Sequence, residues 1–241
     1  MDADSALVAI SNDGRRLLEA AVALDEVVPT CPDWSVHDLL GHIGWVHHYV
    51  AAHVAQRATE RVPPEDIEAA PRGEAVREYA ESGLAVVLEA LGSVDPALPM
   101  WTWSDRQEAG FFIRRMVHET AVHRYDAESA IGQTNGVGDD QGADGVDELY
   151  RDVMAFALRR SPRPLPTGSL HLHRTDGGEG EWMLRSDGDA IAMSNGHEKG
   201  DAAVKGAGGD LFLAMWGRIP LDRLEVFGDA AVARAWVELS P

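Results

Sequence analysis

The sequence predicts an α+β protein in two parts: a helical bundle over residues 1–160, then a small α/β domain with an antiparallel sheet over residues 161–241. Three observations predict it. Apolar residues recur at helical spacing through the first two-thirds of the chain. The segment SPRPLPTG (161–168) then places three prolines and a glycine within eight residues, the composition of a linker. Beyond it, short stretches of apolar–polar alternation between Gly-rich turns replace the helical period.

The elements follow in order. Residues 4–25 carry Leu7, Ile10, Leu17, Leu18, Val22 and Leu24 with helical spacing. VVPTCPDWS, with two prolines, breaks that pattern. Ser35 followed by Asp38 resembles a capping box with a carboxylate at the usual Glu position, and a helix is expected from Val36 to Arg57. RVPPED at 61–66 is a second break, 72–92 a third amphipathic helix, and 93–110 a loop carrying Trp101 and Trp103. Phe111 to Ile131 forms a fourth helix, ended by a Gly-Gln-Thr-Asn-Gly turn. Residues 140–160 form a fifth, acidic near its start as the helix dipole favours. SLHLHRT, EWMLRSD and AIAMSN read as strands separated by DGGEGE and DGDA turns. DLFLAMWGR (210–218) and GDAAVARAWVEL close the chain as helices.

Composition bounds the function. A chain of 241 residues, 45% hydrophobic and 25% charged, is ordinary for a globular protein of one large or two small domains. It has no apolar run of the ~18 residues that a spanning helix needs. The N-terminus lacks a basic stretch followed by an apolar one, so no secretory signal is expected. Cys31 is the single cysteine, which excludes an intramolecular disulfide and fits a cytoplasmic protein. A net charge of −19 argues against nucleic acid and against anionic membranes, both of which select basic surfaces. An anionic substrate would need a locally basic pocket.

The helix at 111–131 contains HETAVHRYDAE. Residues four apart share a helix face, so Glu119 and His123 form a pair. His118 and His123, five apart, point about 140° from one another, which excludes the HExxH arrangement. The stripe Phe112, Met116, Glu119, His123, Ala127, Ala130 is otherwise apolar and should face the core. A carboxylate and an imidazole there need partners. On the second helix Leu39, His42, Val46, Tyr49 and His53 line one face, and His42 offers a third ligand. Two imidazoles and a carboxylate suit zinc with an open position, or a non-haem iron. A buried Glu–His ion pair is the other reading of the same spacing. Asp126, three residues past His123, is placed either to hydrogen-bond a ligand imidazole or to face water. Trp34 and Trp45 read as core, Trp101 and Trp103 as core or as a pocket mouth, and Arg114, Arg115 and Arg124 as solvated ion-pair partners. Cys31, in a Pro-flanked loop without an evident base, is not expected to be a nucleophile.

TCPDWSVHDLLGHIGWVH, FFIRRMVHETAVHRYDAE and DLFLAMWGRIPLDRLEVFGD together resemble, in this order, three segments of the mycothiol-dependent maleylpyruvate isomerase family. The resemblance spans nearly the whole chain. It implies a DinB-like four-helix bundle followed by that family's small C-terminal domain. It implies a divalent metal, most simply Zn2+, on His42, Glu119 and His123, and it gives Arg218 a role near the cleft, binding cofactor and acting in catalysis as a bidentate carboxylate clamp. Arg218 as a cation at a helix C-terminus is the structural alternative. The implied chemistry uses mycothiol, a low-molecular-weight thiol, whose metal-held sulfur adds to a small electrophile. Rotation and expulsion of the thiol gives cis–trans isomerisation, and retention gives S-conjugation. A hydrolase using metal-bound water, or a non-catalytic small-molecule-binding module, are the competing readings. A monomer or a homodimer is expected.

Overall fold

The computed structural model describes residues 1–240 and divides the chain into two compact units, Met1–Asn135 and Gly136–Pro241. The first unit contains helices α1 (Ala3–Ala20), α2 (Val36–Gln56), α3 (Ala75–Gly92) and α4 (Ala109–Ala130), with a two-stranded ribbon of β1 (Val27–Val28) and β2 (Cys31–Ser35) between α1 and α2. Asp2 caps α1 by accepting from the Ser5 N–H at 2.8 Å. The capping box on α2 forms as the sequence predicts: Ser35 Oγ accepts from the Asp38 N–H, and Asp38 Oδ2 accepts from the Ser35 N–H. Arg57 ends α2 in the left-handed region, with φ 47°.

α1 packs on α4 and α3, and α2 on α3 and α4. The α2–α3 crossing is close: a Cβ on Gly83 would lie 2.9 Å from the Gly44 carbonyl oxygen, so only glycine fits there. One apolar cluster gathers Ile10, Val50, Val54, Val87, Leu91 and Phe112. A second gathers Leu17, Val28, Val36, Leu39, Leu40 and Ile43. α4 gives Met116 and Val117 to the first and Ala127 to the second. Its turns between, residues 118–126, carry the polar side chains that build the site.

The second unit begins earlier than the linker-like SPRPLPTG segment. The helix expected at 140–160 belongs to it, as α5 (Asp139–Glu148), a π-helical turn (Leu149–Val153) and α6 (Met154–Arg160). The 160/161 boundary read from composition therefore differs from the division between Asn135 and Gly136. The reason is packing: α5 lies on α7 (Gly208–Met215) so closely that a Cβ on Gly142 would meet Gly208 O and Gly209 Cα at 2.5 Å. Proline content marks a bend in the chain and carries no information about which core a helix joins.

The sheet comprises β3 (Leu170–Arg174), β4 (Glu181–Asp187), β5 (Ala190–Asn195), β6 (Ala202–Gly206) and β7 (Glu225–Gly228), in the order β5-β4-β3-β6-β7. The first three strands form the antiparallel meander that the alternation predicts. β6, which the alternation does not reveal, extends that sheet by pairing parallel to β3. A parallel pair needs a crossover, and residues 196–201 provide it. Leu170, Leu172, Trp182, Leu184, Ala202 and Val204 share one sheet face by register, and all are buried. α7 and the terminal helix α8 (Ala230–Glu238) pack at β3 and β6, where Trp236 donates its indole N–H to the Gly168 carbonyl.

Candidate metal centre

α4 is buried from Phe111 to Glu128 apart from Arg114, so its charged residues are paired rather than solvated. Arg124 meets Glu128 and Asp13, and Glu128 also meets Arg16. His42, Glu119 and His123 converge, with one donor atom of each lying within 4.8 Å of the other two. His42 Nε2 sits 3.0 Å and His123 Nε2 3.4 Å from Glu119 Oε1. The second carboxylate oxygen of Glu119 accepts a short hydrogen bond from Arg115 Nη2, one turn earlier on α4. Glu119 and His123 are buried, while the His42 side chain is 34% exposed, so the group opens on the His42 side.

The supporting contacts define the tautomers. Asp126, fully buried, accepts from His123 Nδ1 at 2.9 Å. Thr30 Oγ1 donates to Asp126 at 2.6 Å, and the Cys31 thiol donates to its other oxygen. The β1–β2 ribbon therefore holds Asp126 on His123. A neutral imidazole has one proton, and the Asp126 carboxylate claims it at Nδ1. His123 Nε2 then presents a lone pair toward the Glu119 carboxylate. Two electron-rich atoms face to face are repulsive unless a cation lies between them, and the donor set of two imidazoles and one carboxylate fits a divalent metal. Trp34 of β2 lies against both rings, with centroids 4.9 Å from His42 and 5.9 Å from His123.

Several expectations resolve differently. Arg115 is a buried partner of Glu119 rather than a solvated surface cation. Of the two placements open to Asp126, the structure has the one that bonds the His123 imidazole. Trp34 walls the site as well as packing on the second apolar cluster. Trp101 stacks on His53 and Trp103 meets Phe111 edge to face, so both pack, partly buried, against the first apolar cluster. Trp45 stacks on Tyr49. His53 is a structural link: its Nδ1 lies 2.8 Å from the Tyr49 carbonyl, and its Nε2 accepts from the Val62 N–H. His47, buried on α2, bonds Thr120 on α4 through Nε2, and burial pushes its pKa down to about 3. Cys31 spends its proton on Asp126, which favours the thiol over a nucleophilic thiolate. Arg218 belongs to the second unit, where its Nη1 donates to the Trp216 carbonyl at 2.7 Å and its guanidinium lies 5.8 Å from the Trp216 ring centroid. Among the described residues no helix is long and apolar enough to cross a membrane.

Comparison with known proteins agrees with this architecture. No curated protein matches the chain. Two solved structures share its fold. One is a histidine-to-alanine mutant of the mycothiol-dependent maleylpyruvate isomerase, with a TM-score of 0.64 at 12% identity over 94% of this chain and 93% of that one. The other is the mycothiol-dependent maleylpyruvate isomerase itself, with a TM-score of 0.60 at 12% identity over 91% of this chain and 90% of that one. The profile of the mycothiol maleylpyruvate isomerase N-terminal domain matches residues 7–128, and that of the C-terminal domain of the same family matches residues 140–235. With both profiles in order over most of its length, the chain belongs to the mycothiol maleylpyruvate isomerase family.

Proposed function

We propose that the protein is a cytoplasmic, mycothiol-dependent enzyme that isomerises a small electrophilic substrate, with a zinc ion held by His42, Glu119 and His123. The observation that carries this reading is the convergence of three metal-type donors, one of them partly exposed, in a buried helical setting. Three protein donors leave a coordination position for a ligand, the arrangement of catalytic rather than structural zinc. When bound there, the ion supplies Lewis acidity that lowers the pKa of a thiol and readies its sulfur as a nucleophile.

The chain's own residues do the rest. Asp126 keeps the His123 proton on Nδ1 and so keeps Nε2 a donor. Arg115 anchors one oxygen of Glu119 and aims the other at the two histidines. Trp34 covers both imidazoles on one side and limits water there. Arg218 is assigned the recognition of a carboxylate on the substrate or on mycothiol, for which a planar guanidinium is suited. The thiol sulfur adds to one carbon of a conjugated double bond, the adduct rotates about the resulting single bond, and expulsion of the thiol restores the double bond in the other geometry. No atom is gained or lost overall.

The test is an electrophile screen with and without mycothiol, read by mass and by proton NMR. Isomerisation gives a product of unchanged mass only when the thiol is present. An adduct that accumulates makes the enzyme an S-transferase. Turnover of equal rate without thiol overturns the proposal in favour of water as nucleophile. Arg218→Ala should raise the KM for thiol or substrate with zinc content unchanged, and unaltered kinetics would remove Arg218 from the site.

A further inference from the structure

The second unit carries another cluster of metal-type donors, and none of its members belongs to the centre described above. His171 and His173 alternate on β3, so both point to the sheet face opposite Leu170 and Leu172. Register places Glu181 of β4 directly across from His173. His197 lies in the crossover that follows β5. One donor atom from each of His171, His173, Glu181 and His197 lies within 4.8 Å of the other three.

The contacts within the cluster converge on one oxygen. His173 Nδ1 is 2.5 Å and His197 Nδ1 3.0 Å from Glu181 Oε1. The three imidazole rings stand edge to face, with centroids 5.2–6.1 Å apart. His171 is the independent observation. It is 3% exposed, its Nε2 is buried, and that atom has no hydrogen-bond partner. A buried imidazole nitrogen left unpaired is costly, and coordination of a cation would satisfy it.

We propose that His171, His173, His197 and Glu181 form a second site for a divalent transition metal of the zinc class, structural in role. Three imidazoles and a carboxylate suit zinc over magnesium or calcium, which prefer all-oxygen shells. Four protein donors fill a tetrahedral shell and leave no open position, which marks a structural ion. The topology shows what it would fasten. β5 ends at Asn195, level with Trp182, and β6 begins at Ala202, level with Leu170. Trp182 is itself level with Leu172 in the middle of β3, so residues 196–201 run back from that level to the start of β3 at Leu170, and His197 rides on this strap. The ion would tie the strap to β3 and β4 at the crossover that makes the β3–β6 pair parallel. The neighbouring cation, Lys205 on β6 opposite His173, has its ammonium over the Phe227 ring, 5.2 Å from the centroid.

The test uses the full chain, stripped of metal and reloaded with Zn(II) or Co(II). His123→Ala removes a ligand of the N-terminal centre, so zinc retained by this variant reports the second site. We expect it to retain one equivalent after desalting and to show the visible absorption of tetrahedral Co(II). Adding His197→Ala, at an exposed strap position, should weaken that zinc by tenfold or more, and adding His173→Ala as well should abolish it. Zinc should also raise the unfolding temperature of His123→Ala but not that of the triple variant. Should His123→Ala fold poorly, His173→Ala together with His197→Ala in the otherwise unaltered chain should lower zinc content by one equivalent with unchanged circular dichroism. Zinc content insensitive to both His173 and His197, or binding only at millimolar zinc, overturns the proposal. Neither outcome bears on the N-terminal centre, which His173 and His197 do not touch.

Discussion

Replacing Asp126 by asparagine isolates the part of the metal centre that the chain builds rather than merely contains. The carboxylate is fully buried, accepts from His123 Nδ1 at 2.9 Å, and is held by Thr30 and Cys31. Asparagine keeps its volume and removes its charge. Two effects then weaken the metal. His123 loses the anion that raises its basicity, and an amide N–H turned toward Nδ1 favours the tautomer with the proton on Nε2, where the metal must bind. Loss of such a support typically costs about 10–100-fold in metal affinity. That range corresponds to about 1.4–2.7 kcal/mol. Zinc competition against a chromophoric chelator reads the affinity. Nitrogen-15 NMR of the His123 ring reads the tautomer, and thermal unfolding of the metal-free protein separates a general loss of fold. Thr30→Val, which removes one hydrogen bond to Asp126 and leaves its charge, should cost less. Zinc affinity within twofold of the unaltered chain, with the His123 proton still on Nδ1, would refute the argument that Asp126 sets the donor nitrogen.

Other consequences can be checked more briefly. His47 stays neutral in the fold, so its contribution is intact above about pH 6.5 and falls as pH drops toward 3, because the unfolded chain takes up a proton that the folded one refuses. His47→Gln should shrink the loss of unfolding free energy between about pH 6.5 and 4.5 by roughly 2 kcal/mol in urea titrations, and an unchanged difference would contradict the buried neutral imidazole. Gly142→Ala pushes a methyl into the backbone of α7 and should destabilise the second unit by about 1–3 kcal/mol, read as a lowered thermal midpoint. Ser35→Ala removes the cap of the helix that carries His42 and should cost about 1 kcal/mol in chemical unfolding.

How much of this was legible before the fold depends on how local each feature is. α1 to α4 follow from apolar spacing, and the α2 cap from Ser35 and Asp38, because helices are specified within a few turns. β1, β2, β6 and β7 were missed. Two are pieces of a Pro-interrupted segment read as a break, and AAVKG and EVFG are too short to show a period. The parallel pairing of β6 is set by where the chain returns, which no local pattern encodes. Within the site, Glu119 and His123 declare themselves as a pair four apart, whereas His42, on another helix, is only a candidate by its face and is singled out by the family resemblance. Arg115 was visible as a residue but not as a support, and spacing left Asp126 open between supporting an imidazole and facing water. α4 is buried nearly all round, so it lacks the polar face that would separate inward from outward charges. Asp126 further depends on Thr30, 96 residues away in sequence. The alternation of His171 and His173 was legible in SLHLHRT, but their partners required the register of β4 and the path of the crossover.

Under the proposed function, the charge balance of the N-terminal centre would let a strongly acidic chain handle an anionic sulfur. Against a net charge of −19, a site open to solvent would ordinarily repel anions. Here Arg115 cancels Glu119 at hydrogen-bond range, and both histidines are taken as neutral donors, so among the groups named Asp126 alone leaves a negative charge. A divalent ion then makes the centre positive, and binding of a thiolate returns it toward neutrality. The pairing matters more than the count. If Glu119 were unpaired, its full charge would fall on the metal and reduce the acidity available to a bound thiol. With one oxygen committed to Arg115, Glu119 would serve as a ligand of reduced charge, and a bound ion would keep more of its pull on sulfur. Arg115 thus acts through Glu119 on the thiol, and a neutral side chain at that position should raise the pKa of the bound thiol even if zinc is retained.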